Sequence, residues 1–291
     1  MVLHPIDYRY NVSELEDYLS HESLLKYMLK VESAYTEALA DVGTCSRKIA
    51  NEISSKANLK NIKYKEWLKR DKIIAHDTRA MVQLLQESVS DSAKPYVHLG
   101  LTSNDVVDTA MNLMLKDAIN YVIIPDMTDL EKILIYSSRK YKSIVQIGRT
   151  HGQHAIPTTF GRELAVYVDR FGNRISRIKK ETDNLRGKIS GAIGTKASFS
   201  LFYDNPDEIE RLTLKKLGLN ATSITTQIIP KEYEADFFGE IVKTHGVISD
   251  LANDIRQLQR TEIQEVEEEF LKTQIGSSTM PHKRNPDSFE N

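Results

Sequence analysis

The chain has 291 residues, enough to bury a substantial core as one large domain or two smaller ones. Apolar residues make up 40% and charged residues 27%, as in ordinary soluble proteins, and the formal net charge of −2 gives no electrostatic reason to expect nucleic acid or an anionic membrane as partner. Cys45 is the only cysteine, so an intramolecular disulfide and a cysteine-based zinc site are excluded. The first residues lack the basic flank and apolar run of a signal peptide, and no stretch approaches bilayer-spanning length; cytoplasm is the expected compartment.

In chain order, the pattern is helical nearly throughout. Ser13 and Glu16 have capping-box spacing ahead of a run rich in Leu, Ala, Glu and Lys, and Gly43 is suited to stop the helix that follows. Shorter helical segments fill the region to about residue 92, and Pro95 to Thr102 reads as a connection. Three longer segments come next. The first runs from about Asp105 to Ile124, where Pro125 is expected to break or kink it. The second begins near Thr159, with Leu164, Val168, Phe171, Ile175, Ile178, Thr182 and Leu185 spaced 4-3-4-3-4-3. The third follows Pro230, with Ile241, His245, Ile248, Ala252 and Ile255 on the same alternation. A basic run inside the second, Arg174-Ile-Ser-Arg-Ile-Lys-Lys180, has its isoleucines at helical spacing and reads as a solvated helix face rather than a phosphate site.

Such seams fit long helices packed side by side at shallow angles, in a bundle that other subunits could complete. Phe199 to Tyr203 and Ile224 to Ile229 are candidate short extended pieces, and nothing predicts a parallel sheet. The expected fold is all-α, with an N-terminal helical domain over residues 1–101 and a long-helix bundle over 102–291. The chain stops directly after its most distinctive motif, so it is expected to be part of a longer protein whose bundle continues beyond Asn291.

Three segments concentrate chemistry. Gly276-Ser-Ser-Thr-Met-Pro-His-Lys-Arg-Asn-Pro286 cannot be regular helix, and it gathers two hydroxyls, an imidazole, two cations and an amide that could surround an anion; the bland alternative is a solvated interhelical loop. Gly148-Arg-Thr-His-Gly-Gln-His-Ala-Ile-Pro-Thr-Thr-Phe-Gly161 reads as a loop before Thr158 or Thr159 caps the second long helix. Its His151 and His154 are three apart, but without an HExxH-like pattern a general acid or base is a better role for one of them than metal binding. In His98-Leu-Gly-Leu-Thr-Ser-Asn-Asp105, the residues Thr102, Ser103 and Asn104 sit at a helix start, a natural carboxylate or phosphate cradle, though ordinary capping accounts for one of them. His76-Asp77 and Arg9-Tyr10 are weaker candidates.

Together, and in this order, the three segments resemble the signature regions of the fumarase/aspartase superfamily, and the match to Gly-Ser-Ser-x-Met-Pro-x-Lys-x-Asn-Pro is complete. Within it, the 98–105 and 148–161 segments look like the adenylosuccinate lyase family. The 3-carboxy-cis,cis-muconate cycloisomerases share the His-Lys-Arg-Asn-Pro ending but typically carry Leu where this chain has Gly152. A helical scaffold without catalysis is the non-enzymatic alternative; it predicts a featureless 276–286 loop. The resemblance implies β-elimination of fumarate from adenylosuccinate to leave AMP, and the analogous step on succinylaminoimidazole carboxamide ribotide. Residue by residue, it implies Ser277 as catalytic base and His151 as general acid, with His76 the alternative acid. Ser278, Lys283 and Asn285 would hold the succinyl carboxylates, helped by Thr102 and Ser103. Arg9, Tyr10, His76, Asp77 and Gln227 would bind the nucleotide part, with Asn291 a further binding position. It implies no metal or cofactor, a small-molecule nucleotide substrate, and a homotetramer whose active sites are shared between subunits. What activates the weakly basic Ser277 is open, with Lys283 the nearest obvious cation.

Overall fold

The computed structural model describes residues 10–271 and 273–290, and helices dominate it. In the N-terminal half they are α1 (Ser13–Leu19), α2 (His21–Asp41), α3 (Arg47–Lys56), α4 (Tyr64–Ile74), α5 (Asp77–Glu87), α6 (Ser103–Ala118) and α7 (Ile124–Lys140). Strands β1 (Val145–Thr150) and β2 (Gln153–Thr159) follow, then α8 (Phe160–Asn184), β3 (Arg186–Gly187), α9 (Pro206–Leu217), β4 (Asn220–Ala221), α10 (Glu232–Leu258) and the single turn α11 (Asp287–Glu290). The chain divides into two compact units, residues 1–125 with 179–237, and residues 126–178 with 238–291.

The first unit is built around α2. Leu25, Met28, Leu29, Val31, Tyr35 and Leu39 are fully buried, and apolar contact on nearly every side makes α2 a central helix rather than a surface one. Each such side chain contributes about 1.5–3 kcal/mol on leaving water. The capping box expected from Ser13 and Glu16 does not form. Val12 occupies the cap position, the Ser13 hydroxyl donates to Glu14, and Glu16 accepts from the Asn11 amide. The helical run instead breaks at Ser20, whose hydroxyl accepts the Ser23 N–H at 3.1 Å and starts α2. Gly43 does end α2, with φ +81° and the Thr44 N–H returning to the Leu39 carbonyl at 2.9 Å.

Pro125 does not stop its helix. A π turn over Ile119–Ile123 precedes it and α7 starts at Ile124, so Pro125 falls in the first turn of a new helix, where no N–H is required of it. The two expected extended pieces are also absent. Phe199–Leu201 is a 3-10 turn, because Phe199 is buried while Leu201 turns out to solvent, and 224–229 is bends fixed by backbone contacts described below. A minimal parallel pairing of β3 with β4 was not anticipated.

In the second unit, α8 follows the expected course. Leu164, Phe171 and Ile178 are buried, Val168 and Ile175 half-buried. Gly161 is required, since a Cβ there would lie 2.3 Å from the Ser138 carbonyl oxygen. Polar pairs join α8 to α10: Tyr167 to Asp254, Arg170 to Asp250 at 2.5 Å and Arg174 to Glu240 at 2.8 Å. Arg174 is thereby engaged while Lys179 and Lys180 face solvent, as the helix-face reading required. The α10 seam is less covered than its spacing implies. His245 and Ile248 are exposed, and neighbouring Phe238 and Val242 are 50% and 69% accessible. Among the described residues, no helix is long and apolar enough to cross a membrane.

Candidate active site

The segment expected to be a plain loop at 148–161 is an antiparallel hairpin. β1 pairs with β2 from Val145 with Thr159 to Thr150 with Gln153, and His151-Gly152 forms the two-residue turn with φ +56° and +71°. Two consecutive positive φ values make the primed turn whose twist suits a hairpin, and Gly at its second position is the sequence signal that could have found it. Gly148 sits at the bulge between Ile147 and Arg149, where a Cβ would lie 2.9 Å from the Ile156 carbonyl oxygen. His151 is therefore held at an exposed hairpin tip, and His154 lies on β2 opposite Arg149. The Arg149 guanidinium bonds the Glu265 carboxylate, tying the hairpin to the segment after α10, and that bond holds Arg149 above its ordinary pKa. Thr159 accepts the Arg162 N–H at 3.1 Å and so caps α8, as its position predicted.

The 276–286 loop is pinched at its base. A Cβ on Gly276 would lie 2.1 Å from the Lys283 carbonyl oxygen, so only glycine allows this approach, and the Asn285 amide donates to the Gly276 carbonyl at 3.0 Å. Within the loop, the Ser277 hydroxyl oxygen accepts the N–H groups of Thr279 and Met280 at 3.3 and 3.2 Å. Ser278 is exposed and its hydroxyl is 3.4 Å from that of Thr279. Arg284 pairs with Glu267 at 3.0 Å and stacks on Phe270, whereas no carboxylate among the described residues lies within ion-pair distance of the Lys283 amine. Lys283 and Asn285 line a cleft of about 1070 Å³ in which the cations of Arg256, Arg260 and Arg284 face the carboxylates of Glu262, Glu267 and Glu290; Ser277 and Ser278 are not part of its lining. Arg256 and Arg260, which carry no sequence motif of their own, lie 3.9 Å from Glu290 and 3.8 Å from Glu262. A cavity of about 640 Å³ beside α9 holds none of the candidates, and its Lys196 amine is already bound by Asp207 and Glu210.

The remaining described candidates belong to the first unit. His76 caps α5: its Nδ1 accepts the Arg79 N–H at 3.2 Å, which places the ring proton on Nε2, 3.5 Å from the Ser103 hydroxyl. Trp67 fixes this corner by donating to the Asp77 carbonyl at 2.8 Å, while the Asp77 carboxylate accepts from Thr78. Thr102 precedes α6, its N–H donating to Asp105 at 2.9 Å, so capping uses Thr102 and leaves the Ser103 hydroxyl toward His76. Gln227 and Tyr10 are exposed. Arg9 and Asn291 lie outside the described residues. The fold thus brings His76 to Ser103, and the Gly276 backbone beside Ser277 to Lys283 and Asn285; among the described residues no hydrogen bond joins His151 to the 276–286 loop.

A family model described as Lyase matches residues 7–291. The chain belongs to this lyase family, within the fumarase/aspartase superfamily. Similar curated proteins include the adenylosuccinate lyases of Pyrococcus abyssi, 42% identical over 287 residues, and Pyrococcus horikoshii, 41% identical over 287 residues. Each alignment covers 98% of this chain and 63% of the relative, so the lyase chain spans somewhat under two thirds of the length of the curated relatives it matches. Among solved structures, the 3-carboxy-cis,cis-muconate lactonizing enzyme of Pseudomonas putida superposes with a TM-score of 0.87 at 25% identity, over 98% of this chain and 63% of that one.

One pair of the first unit has a pH signature. His98 has φ +61° and is held by the buried Glu32, which accepts its backbone N–H at 3.1 Å and its Nδ1 at 2.5 Å. Burial pushes the His98 pKa down, but the Glu32 carboxylate outweighs it and the net shift is upward. A histidine whose folded pKa is raised gives stability that is fully present below its unfolded value of about 6.5 and is lost as pH rises through the folded value. His98→Asn, chosen because Asn tolerates a left-handed backbone, should melt below the wild type, with a gap that is largest near pH 6 and shrinks toward pH 9. A gap that widens toward pH 9 would contradict this assignment.

Proposed function

We propose that the protein carrying this chain is an adenylosuccinate lyase, which eliminates fumarate from adenylosuccinate to leave AMP and performs the analogous step on succinylaminoimidazole carboxamide ribotide in purine nucleotide synthesis. The observation that carries the reading is the pinched 276–286 loop, where a serine oxygen with two N–H donors lies in the same loop as a lysine that no carboxylate among the described residues pairs. Hydrogen bonds to the charged form favour it, so the N–H groups of Thr279 and Met280 lower the cost of a Ser277 alkoxide. This supplies an activation that Lys283 alone would not.

In the reaction, the Ser277 alkoxide takes the proton from the carbon beside a succinyl carboxylate. Charge builds on that carboxylate, and Lys283, Asn285 and Ser278 are suited to stabilise it. The electron pair then forms the fumarate double bond as the C–N bond breaks, and His151 gives its proton to the departing nitrogen. Thr102 and Ser103 assist in holding the carboxylates, while Arg9, Tyr10, His76, Asp77, Gln227 and Asn291 serve the nucleotide part. The relatives named adenylosuccinate lyase, aligned over nearly the whole chain, support this substrate.

The same reading includes a cytoplasmic homotetramer with shared active sites. Its support is the uncovered apolar surface: Ile156 and Val145 on the hairpin are 74% and 75% accessible, and Phe238 and Val242 stand out from α10. Two-stranded hairpins are marginal in water unless packed against something, and helices of a second copy are suited to cover this one. The alternative is a muconate-type enzyme, supported by the Pseudomonas putida superposition. Against it stands Gly152, whose φ of +71° would strain the Leu that those enzymes typically carry. Assaying the full-length protein on both adenylosuccinate and 3-carboxy-cis,cis-muconate separates the two. Fumarate release from adenylosuccinate alone is expected; lactonisation without fumarate release would reverse the assignment.

A further inference from the structure

Behind the helix start that carries Thr102 and Ser103 lies a wholly buried ion pair that the reaction above does not use. The Asp105 carboxylate and the Lys188 amine are both 0% accessible and 2.5 Å apart. Asp105 also accepts the N–H groups of Thr102 at 2.9 Å, Ser190 at 2.9 Å and Gly191 at 3.0 Å. Lys188 gives a second bond to the Gly191 carbonyl at 3.0 Å, and its backbone N–H and carbonyl both bond the Thr109 hydroxyl at 3.0 Å. One turn along α6, Asp108 accepts the Ile229 N–H at 2.8 Å, and the hydroxyls of Ser190 and Thr225 are 2.7 Å apart. Residues 188–191 and the bends leading past Gln227 are thereby joined to the first turn of α6.

Stability alone is a poor reason for such a pair, because well-packed apolar residues of similar volume often serve a core equally well. What the pair does fix is direction. With one oxygen of Asp105 held by Lys188 and Ser190, the other is aimed at the Thr102 N–H, and the orientation of the Thr102–Ser103 turn follows. We propose that Lys188 and Asp105 are positioning residues, which hold the Thr102–Ser103 turn in the geometry that receives a substrate carboxylate although neither touches substrate. This rests on the lyase reading of Thr102 and Ser103.

Lys188→Met in the full-length protein tests it, since Met keeps the stem and removes the amine. Kinetics on adenylosuccinate are combined with calorimetric titration of fumarate and AMP separately. The KM and the fumarate dissociation constant should rise about tenfold, the scale of a lost buried charged hydrogen bond, with kcat within about threefold and AMP affinity within about twofold. Fumarate and AMP affinities that both survive beside a lowered Tm would make the pair purely structural and overturn the proposal. So would affinities that weaken alike. Should Lys188→Met not fold, Asp105→Asn keeps the shape but sets an amide donor against one of the N–H groups. The same selective loss of fumarate is then expected, and its absence is equally decisive. A wild type that releases no fumarate from adenylosuccinate would sink the lyase reading separately, because the effect of the pair on dicarboxylate binding is still read by titration.

Discussion

Ser277→Ala in the full-length protein is expected to lower turnover of adenylosuccinate by about 10²–10⁴-fold, the usual scale for a positioned acid or base. Substrate affinity should change far less, because the Ser277 oxygen acts on the proton transferred in the transition state, while other groups hold the substrate carboxylates. The loop geometry makes the prediction specific to this serine. Ser277 receives two backbone N–H donors, whereas Ser278 is exposed and, among the described residues, its hydroxyl meets that of Thr279 alone. Single-turnover measurements would separate chemistry from release. Turnover surviving within a few-fold would transfer the base role to Ser278.

The second large effect concerns where the acid comes from. If His151 and Ser277 of one site belong to different subunits, two inactive variants should rescue each other. His151→Ala and Ser277→Ala proteins, mixed equally and allowed to exchange subunits after mild denaturation, would give each site an intact His151 half the time and an intact Ser277 half the time. Recovery should therefore approach about a quarter of wild-type activity. The exposed hairpin tip carrying His151 and its lack of a hydrogen bond to the 276–286 loop favour this outcome. Absent recovery, with mixed assemblies verified by native mass spectrometry, would put both groups on one chain.

Much of the helical architecture was legible because periodic burial writes itself into sequence. The α8 seam from Leu164 to Ile178 was readable from spacing, and Gly43 from the left-handed turn that ends α2. What failed had a competing local cause. Pro125 signalled a break or kink, and the α-helix is interrupted ahead of it by a π turn, but the helical run goes on through the proline instead of ending there. The 148–161 segment read as a loop because its glycines and Pro157 masked a hairpin whose turn, His151-Gly152, lacks the commoner Asn or Asp. The α10 seam predicted burial that the chain itself does not supply at His245 and Ile248.

The site was legible only as residue types. Residue types singled out the 276–286 segment and the family resemblance named Ser277, Lys283 and Asn285 within it, but neither showed that the Gly276 backbone closes on Lys283 at the base of the loop. Pairings between distant positions, such as Asp105 with Lys188 or Glu32 with His98, have no signature in one sequence, since nothing local in a lysine at 188 names its partner.

The central claim is the elimination itself, and the most direct test is product identity. The full-length protein, incubated with adenylosuccinate and followed by quantitative proton NMR, should form AMP and fumarate in equal amounts, at a rate that Ser277→Ala removes. Consumption without fumarate, AMP and fumarate in unequal amounts, or no consumption by the wild type would contradict the account.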